Sequence, residues 1–368
     1  MAYDRFNPYN ELPQLPPAQE FNEDPVILKK LVSASRALAK VDGQIEKLPN
    51  PKMLINTIGL QEAKTSTEIE NIFTTDDELY RAISSDKKLP KIDSSTKEVL
   101  RYKEALWTGY NNLAVTGKFD VPMIIDIMQK IKKTNEGIRP SQALTVIKRG
   151  QSELRPGEVV YTPPRGKGVL EPMLKNLVEY LNSDDKTDPL VKMAIAHYQF
   201  ESIHPFSDGN GRTGRIINLL YLVNSGLLSS PALYLSKQII ASKDAYYYQL
   251  GAVRQNNDFT RWVLYMLDVV EKTSLHIAGI VQEILDQMDA TLEYGKSNMK
   301  WYNKEINEVL FTQPYTKWES LATAMNKKAR NTMKKYISEL VRHKILRPQK
   351  EWKETYYVNN ELVKILEG

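Results

Sequence analysis

The sequence contains 368 residues, of which 42% are hydrophobic and 26% are charged, so it is long enough for two or more domains and ordinary for a soluble protein. It has no cysteine, which excludes disulfides, zinc–thiolate sites and thiol nucleophiles and fits a cytoplasmic location. No signal-peptide pattern is present, and no apolar stretch approaches the roughly 18 residues that a membrane span needs. The net charge of +5 is too small to indicate a nucleic-acid partner by itself.

Most of the chain is predicted to be helical. The first 25 residues are rich in proline and polar side chains, a composition typical of an extended arm that lies over the body of a protein. Beyond them, apolar residues recur at helical spacing, and pairs that contain proline or glycine interrupt the pattern near residues 50, 89 and 116. The helices predicted in this way cover residues 25–47, 53–73, parts of 79–131, 169–181, 189–202, 216–225, 259–270 and 275–292.

A short β-hairpin is predicted between residues 144 and 164. Residues 144–148 read LTVIK, and residues 157–164 are rich in β-branched side chains and end in two prolines. Both segments are typical of short strands. The hairpin either has a functional role or simply covers the core.

The densest group of chemically active side chains is the loop HPFSDGNGRTGR at residues 204–215, which lies between two predicted helices. The start of the second helix offers unpaired N–H groups and the positive end of its dipole, and both attract phosphate. Gly209 and Gly211 lack the side chains that would keep an anion away. Arg212 and Arg215 are three residues apart on one helix face, where both guanidiniums can hold the same polyphosphate.

Two further residues of the loop complete a predicted nucleotide site. The carboxylate of Asp208 suits a hard divalent cation such as Mg²⁺ that bridges phosphates, and His204 is the nearby group that can accept a proton at neutral pH. The dinucleotide-binding fingerprint is excluded because a helix precedes the glycines, and a P-loop is excluded because no Gly-Lys-Ser/Thr follows them. The residues therefore predict a nucleotide, a metal and a general base.

The pattern His-Pro-Phe-x-Asp-Gly-Asn-Gly-Arg-x-x-Arg over residues 204–215 resembles the signature of Fic-domain proteins, with every defining position filled. The resemblance implies a mainly α fold, with an all-helical Fic domain and a small β-hairpin flap. It also implies adenylylation, in which AMP moves from ATP to a Ser, Thr or Tyr hydroxyl of a protein target or of the protein itself. His204 would be the base, and Asp208 would hold Mg²⁺. The phosphate-binding residues would be Gly209, Asn210, Gly211, Arg212 and Arg215.

A second resemblance lies upstream, at Ser66-x-x-x-Glu70-Asn71. It is similar to the inhibitory motif of Fic proteins that carry their own blocking helix ahead of the core. In that family the glutamate pairs with the second arginine of the signature, here Arg215, and occupies the place of the ATP γ-phosphate. The same acid could position a water for the removal of AMP. The alternative is a solvated glutamate near a helix end.

The resemblance also suggests residues for target and base recognition. In Fic proteins the hairpin is a flap that binds a target segment as an added strand, through backbone pairing that depends little on sequence. The flap candidates here are Val160, Tyr161 and Thr162. Tyr246 and Tyr247 occupy positions that lie near adenine and ribose in the family, with core packing as the alternative. His197 is predicted to be a core residue.

The last part of the chain, residues 302–368, is predicted to be three helices and a two-stranded wing, which resembles a winged helix. It contains 13 lysine and arginine residues and 8 acidic residues. The basic residues concentrate at Lys327, Lys328, Arg330, Lys334 and Lys335. Such a module could bind DNA through a basic recognition helix, or it could serve in dimerisation or protein docking.

The predicted organisation therefore has three parts: an N-terminal arm and inhibitory region (1–100), a Fic catalytic domain (101–290) and a winged-helix module (300–368). The main functional hypothesis is a protein adenylyltransferase that is inhibited by Glu70. Two alternatives remain open from the sequence. One is transfer of another phosphate-containing group, such as UMP, phosphate or phosphocholine. The other is a DNA-binding regulator whose Fic body senses a nucleotide.

Overall fold

The computed structural model describes residues 3–19, 21, 24–48, 51–84, 92–148, 157–324, 330–351 and 354–367. Within these ranges the chain forms fifteen helices and two small antiparallel sheets, so the prediction of a mainly α fold is confirmed. The predicted helix break near residue 89 and the basic residues Lys327 and Lys328 lie outside the described ranges.

The helices and strands are numbered separately in chain order. The helices are α1 (Pro25–Ile45), α2 (Pro51–Ile69), α3 (Asp76–Ser84), α4 (Ser94–Thr116), α5 (Val121–Lys132), α6 (Leu170–Asn182), α7 (Pro189–Ile203), α8 (Asn210–Asn224), α9 (Leu235–Ala241), α10 (Lys243–Asn256), α11 (Thr260–Asn298), α12 (Lys304–Leu310), α13 (Trp318–Ala324), α14 (Arg330–Arg342) and α15 (Asn360–Glu367). The strands are β1 (Ile147–Lys148), β2 (Val159–Tyr161), β3 (Tyr315–Thr316), β4 (Arg347–Glu351) and β5 (Glu354–Val358).

Helix α7 lies at the centre of the core. Almost all of its side chains are buried, as expected for a helix that is apolar around its circumference. It packs against α6, α8 and α11, and the indole N–H of Trp262 donates a hydrogen bond to Ala194 O at 2.6 Å. This central position holds the C-terminal end of α7, and therefore the loop that begins at His204, in a fixed place.

The two helices predicted at 259–270 and 275–292 are a single 39-residue helix, α11, so that prediction was wrong. The polar residues between them interrupted the apolar pattern, but no proline or glycine stands there to end a helix. Thr273 and Ser274 are buried instead. Helix α1 packs along α11, and Lys30 joins them through Asp268 (2.7 Å) and Glu271 (2.6 Å).

The described N-terminal residues lie against the body of the protein. Residues 3–19 form neither helix nor strand, and the side chains of Leu12 and Leu15 are buried. The side chain of Asn176, on α6, bonds both backbone groups of Leu15, accepting from its N–H at 2.8 Å and donating to its C=O at 2.9 Å. The arm is therefore attached to the body along its length.

The C-terminal part contains the predicted three helices and the predicted hairpin, here α12 to α14 and β4–β5. It also contains β3, which pairs with β5 to give the strand order β3-β5-β4, and α15, neither of which was predicted. Tyr315 on β3 donates a hydrogen bond to Asp77 and stacks on Tyr80, with ring centroids 5.7 Å apart. This part therefore contacts α3. Within the described ranges, no helix is both long and apolar enough to cross a membrane.

Candidate functional site

The signature loop connects the end of α7 to the start of α8, and its backbone is held closely. His204 ends α7 with φ 49° and Gly209 precedes α8 with φ 84°, both in the left-handed region. The side chain of Asn210 bonds both backbone groups of Phe206, accepting from its N–H at 2.9 Å and donating to its C=O at 2.8 Å. Phe206 is fully buried, so it anchors the loop in the core.

His204 is placed by an arginine that the sequence did not indicate. Arg139 Nε donates to His204 O at 2.8 Å, and Arg139 Nη2 donates to Pro164 O at 2.5 Å, at the end of the hairpin. Burial, and next the charge of Arg139, lower the pKa of His204 to about 4. The imidazole is therefore neutral at pH 7, and its Nδ1 has no hydrogen-bond partner among the described residues. It can accept a proton.

The predicted contact between Glu70 and Arg215 is present within one chain. Arg215 Nη2 lies 2.9 Å from Glu70 Oε1. The same guanidinium donates from Nε to Ser66 Oγ at 2.7 Å and from Nη2 to Ser66 O at 2.8 Å. Burial alone would lower the pKa of Arg215, but the charge of Glu70 and the neighbouring groups raise it. The arginine therefore stays cationic while buried.

The end of α2 explains why Glu70 reaches this position. Lys243 Nζ donates to Ile69 O at 2.9 Å and so satisfies a carbonyl at the helix C-terminus. Asn71 follows with φ 62°, a conformation that asparagine tolerates better than most residues. The turn ends the helix and leaves Glu70 beside α8. The structure thus places Asn71 in the turn, and Ser66 and Glu70 on the arginine.

Gly211 leaves the space in which these groups meet. A Cβ built on Gly211 would lie 2.5 Å from Glu70 Oε1 and 3.0 Å from Arg215 Nη1. Because real Cβ atoms do not approach other atoms so closely, only glycine permits the carboxylate to sit at this point in the first turn of α8. The Glu70 carboxylate thus already lies at the N-terminus of α8, where the exposed N–H groups of a helix attract anions.

The first signature arginine, Arg212, is held by residues from two other helices. Its side chain is buried and pairs with Glu98 of α4, and its Nη2 lies 3.4 Å from Asp208 Oδ1. Lys132 of α5 lies 3.4 Å from Glu98 and 2.6 Å from Asp208. Burial would raise the pKa of Glu98, but the hydrogen bonds and charges of Arg212 and Lys132 hold it below its usual value. Four charged side chains therefore form one network.

Asp208 is the candidate metal ligand. Its side chain is 63% exposed, and Lys132 and Arg212 hold its pKa below the usual value despite some burial. The described residues contain no group of three or more His, Asp or Glu side chains that could hold a metal ion. Magnesium at nucleotide sites commonly uses one or two carboxylates together with substrate phosphates. A single ionised, accessible carboxylate beside the phosphate site therefore fits that role.

Two buried carboxyl groups near Arg215 were missed at the sequence level. Glu62 of α2 accepts hydrogen bonds from Ser236 Oγ at 2.5 Å and Tyr102 OH at 3.1 Å, and burial raises its pKa. Burial raises the pKa of Glu201, on α7, to about 7, although the charge of Arg215 opposes this. Neither lies in a recognisable motif, because each depends on packing between distant helices.

The two candidate tyrosines are in different environments. Tyr246 is buried, shares a hydrogen bond of 2.9 Å with His197 Nε2 and packs on Trp262 with ring centroids 5.6 Å apart. Tyr247 is 41% exposed, with its ring 5.2 Å from that of Tyr246. His197 is buried, so its prediction as a core residue is confirmed. The structure therefore places Tyr246 in the core, and only Tyr247 has an accessible ring.

Buried His197 is expected to make the protein sensitive to acid. Burial lowers its pKa to about 3, so below pH 6.5 the unfolded chain binds a proton that the folded protein does not. The free energy of unfolding should then fall by about 1.4 kcal/mol per pH unit for this group, from pH 6.5 downwards. Urea unfolding at pH 7 and pH 5 should show a smaller loss in His197→Gln than in the wild type. An equal loss in both proteins would contradict this assignment.

The predicted hairpin is present, with β1 and β2 antiparallel and Ile147 opposite Tyr161. Tyr161 is buried, donates to Ser202 O at 2.6 Å and lies under the guanidinium of Arg254, 3.8 Å from its ring centroid. Its side chain therefore fixes β2 to the core. Thr162 is also buried, and Val160 is partly exposed.

Comparison with known proteins gives three matches to family sequence models. Residues 28–111 match the N-terminal domain of the Fic/DOC family, and residues 118–222 match the Fic/DOC family itself. Residues 287–362 match the C-terminal domain of SoFic-like protein adenylyltransferase. The second match contains the whole signature loop.

Curated relatives include protein adenylyltransferase fic-1 of Caenorhabditis elegans, 31% identical over 150 residues, which are 40% of this chain and 27% of that protein. Protein adenylyltransferase Fic of Drosophila yakuba is 29% identical over 169 residues, 45% of this chain and 31% of the relative. The similarity thus spans less than a third of the length of these relatives.

Solved structures with a similar fold include a Fic family protein from Desulfovibrio desulfuricans G20, with a TM-score of 0.58 at 18% identity over 93% of this chain and 98% of the other. A fragment of Fic-1 from Caenorhabditis elegans has a TM-score of 0.52 at 20% identity, over 69% of this chain and 73% of the other. At such identities the likeness is one of fold alone.

Proposed function

Because the chain belongs to the Fic/DOC family, we propose that it is a protein adenylyltransferase that moves AMP from ATP to a Ser, Thr or Tyr hydroxyl of a protein. One observation carries the proposal: the N-terminus of α8 has a neutral histidine before it and two buried arginines on its first turns. His204 can accept a proton, while Arg212 and Arg215 can hold phosphates. The curated relatives carry the same activity in their names.

The nucleotide phosphates bind at the start of α8. The backbone N–H groups of Asn210 and Gly211 stabilise charge on the α-phosphate, since donors fixed in advance need no reorganisation. The N–H of Gly209 already donates to Asp208 Oδ1 at 2.5 Å, so Gly209 contributes by lacking a side chain that would keep the phosphate away. The side chain of Asn210 is engaged with Phe206, so its contribution is the backbone N–H. Arg212 and Arg215 hold the β- and γ-phosphates. Asp208 would hold Mg²⁺, which when bound neutralises phosphate charge.

The transfer itself is one displacement at the α-phosphorus. His204 accepts the proton of the target hydroxyl, and the hydroxyl oxygen forms a bond to the α-phosphorus of ATP. The bond from that phosphorus to the oxygen bridging the α- and β-phosphates breaks, and pyrophosphate leaves. A base with a pKa below neutrality, about 4 here, is available in its unprotonated form throughout the neutral range.

Glu70 inhibits this reaction in the proposed scheme. Its carboxylate pairs with the Arg215 guanidinium at 2.9 Å. A γ-phosphate is also negatively charged, so the carboxylate repels it from the same position beside Arg215. ATP can then bind only with its phosphates displaced from the line of attack. The inhibitory contact lies within one chain, so it requires no second protein.

The function is tested by measuring which labelled phosphate of ATP becomes bound to protein. The Glu70→Gly variant is incubated with ATP labelled at the α-phosphate or at the γ-phosphate, and modified residues are identified by mass spectrometry. Adenylylation predicts that only the α-label becomes protein-bound, with the mass of AMP on a Ser, Thr or Tyr. Label from the γ-phosphate would indicate a kinase instead. Labelled UTP in place of ATP tests the uridylyl alternative.

Glu98 is expected to be a positioning residue for Arg212. In Glu98→Gln the charge that holds the guanidinium is lost, and a hydrogen bond to a charged group is worth about 1.5–3 kcal/mol. We expect kcat/KM for ATP to fall by on the order of tenfold through a higher KM. Glu104→Gln, a neighbour on α4 that is largely exposed and 3.9 Å from Lys130, is the matched control. An unchanged KM for ATP in Glu98→Gln would show that Glu98 does not position Arg212.

The remaining partners belong to the same proposal. Residues 101–290 act as the catalytic unit and residues 300–368 as a winged-helix module for protein contact, including contact with a second copy, in the cytoplasm. Lys334 and Lys335 of α14 are exposed, so DNA is the competing partner. Retention on DNA that weakens with salt and disappears in Lys334→Glu/Lys335→Glu would favour DNA over protein.

A further inference from the structure

The outer edge of the hairpin is occupied by the protein's own N-terminal arm. Strand β1 pairs with β2 through Val159 and Tyr161. The carbonyls of the alternate residues are bonded to the arm: Val160 O accepts from Tyr3 OH at 3.2 Å, and Thr162 O accepts from Tyr9 N–H at 3.1 Å. Because backbone carbonyls two residues apart in a strand point to the same edge, the arm runs along the edge that β1 leaves open.

Side chains strengthen this attachment. Arg5 pairs with Glu158, just before β2, with Nη1 2.8 Å from Oε1. Thr162 Oγ1 donates to Arg5 O at 2.7 Å, and the ring of Tyr3 stacks on that of Tyr161 with centroids 6.4 Å apart. The edge thus already holds a segment that turns at residues 4–7, where Asn7 N–H donates to Asp4 O at 3.2 Å, and that presents a backbone donor, an aromatic ring and a positive charge.

Asn10, which follows Tyr9 in the arm, contacts the residue after the hairpin's two prolines. Its side chain donates from Nδ2 to Arg165 O at 3.0 Å and accepts from Arg165 N–H at 2.9 Å. Residues 3–10 therefore cover residues 158–165, but the turn at residues 4–7 means that they do not form a strand beside β2. The end of the hairpin is also linked to His204, because Arg139 donates hydrogen bonds to both Pro164 O and His204 O.

We infer that the open edge of β2 is a peptide-binding edge that is filled in cis by residues 3–10, and that a protein target must displace this segment before its hydroxyl can reach His204. This inference rests on the proposed function and adds a second block, which acts on the target, whereas Glu70 acts on the nucleotide. The arm also indicates the target chemistry: a segment with an N–H donor facing Thr162 O and a basic side chain facing Glu158.

The segment is suited to leave without unfolding the protein. The side chain of Arg5 is 41% exposed and Phe6 is 62% exposed, so apart from the partly exposed rings of Tyr3 and Tyr9 little apolar surface holds residues 3–10 in place. The buried anchors, Leu12 and Leu15, lie beyond it and keep the rest of the arm attached. Contacts that are mostly polar and solvent-accessible open at low cost, while the short tether keeps the segment at high local concentration.

The test locks the arm in place. Because the chain has no cysteine, Arg5→Cys/Glu158→Cys can be joined specifically with a short bismaleimide, in the Glu70→Gly background. The acceptor is reduced, carboxymethylated α-lactalbumin, an extended polypeptide that offers many hydroxyl groups. Acceptor binding is measured by fluorescence anisotropy and AMP transfer with α-labelled ATP, before and after cross-linking. Each single-cysteine variant, treated with the same reagent, is the matched control.

Cross-linking is expected to weaken both acceptor binding and transfer by on the order of tenfold or more, because a tethered competitor acts at millimolar effective concentration, while ATP affinity stays the same. Removing residues 1–10 should have the opposite effect. Equal acceptor binding by the cross-linked and open proteins would overturn the inference and leave the proposed function standing. Acceptor binding that is lost on cross-linking, in a protein that transfers no AMP, would support the edge and refute the adenylyltransferase function.

Discussion

Replacing Glu70 by glycine is expected to raise the rate of AMP transfer by on the order of 10²-fold. The reason is that the phosphates of ATP can then align with the attacking hydroxyl, and misalignment of reacting groups costs about that factor. In the wild type the carboxylate lies 2.9 Å from Arg215 Nη2 and, in the proposed scheme, takes the place of the γ-phosphate. In the variant, Arg215 keeps its bonds to Ser66 and is therefore still positioned, but its remaining capacity is free for ATP. The rate is measured in single turnovers with α-labelled ATP.

Glu68→Gly provides the matched control for that result. Glu68 lies in the last turn of α2, two residues before Glu70, but it faces Lys64, with its carboxylate 3.9 Å from Nζ. The two variants therefore introduce the same flexibility at the helix end and differ in the contact with Arg215. Activation of equal size in Glu68→Gly would mean that loosening of α2, and not release of the arginine, relieves the inhibition.

The second large effect is expected from His204→Ala in the Glu70→Gly background. Loss of a positioned general base costs about 10²–10⁴-fold in rate, whereas ATP affinity should remain unchanged because the imidazole holds none of the phosphates in the proposed scheme. The two quantities are measured separately, the rate with α-labelled ATP and the affinity by calorimetry. A variant that retains more than a small fraction of the transfer rate would show that another group takes the proton.

The pH dependence gives a further check on His204. Its pKa is lowered to about 4 by burial and by Arg139, and replacing Glu70 removes one charge that raises it. Transfer by Glu70→Gly should therefore not fall when the pH is reduced from 6.5 to 5.5, where an ordinary histidine would become mostly protonated. A loss of activity with a midpoint near pH 6.5 would mean that the histidine is exposed during the reaction.

Several features of the site were predictable from the sequence because they depend on short spacing along one helix or loop. The loop at residues 204–215, the two arginines on one face of α8, and the arrangement of Ser66 and Glu70 on one face of α2 are all local patterns. The approach of Glu70 to Arg215 was predictable only through the family resemblance, because nothing in local spacing relates residues so far apart in the chain.

The charged residues that position the signature could not be predicted. Glu98, Lys132 and Arg139 come from α4, α5 and the segment before the hairpin, and as isolated charges they look like any solvated side chain. Their roles depend on which helices pack together. Tyr246 and Tyr247 make the same point, since adjacent residues on a helix face different surroundings, one toward His197 and the core and the other toward solvent.

The sequence by itself therefore predicted which groups could accept a proton and hold phosphate, because residue type and helical spacing suffice for that. Only the tertiary structure decided what holds those groups and what covers them. The continuity of α11, the network around Arg212 and the arm on the edge of β2 all arise from contacts between segments distant in sequence. Such contacts depend on burial and packing in three dimensions, which a linear pattern does not record.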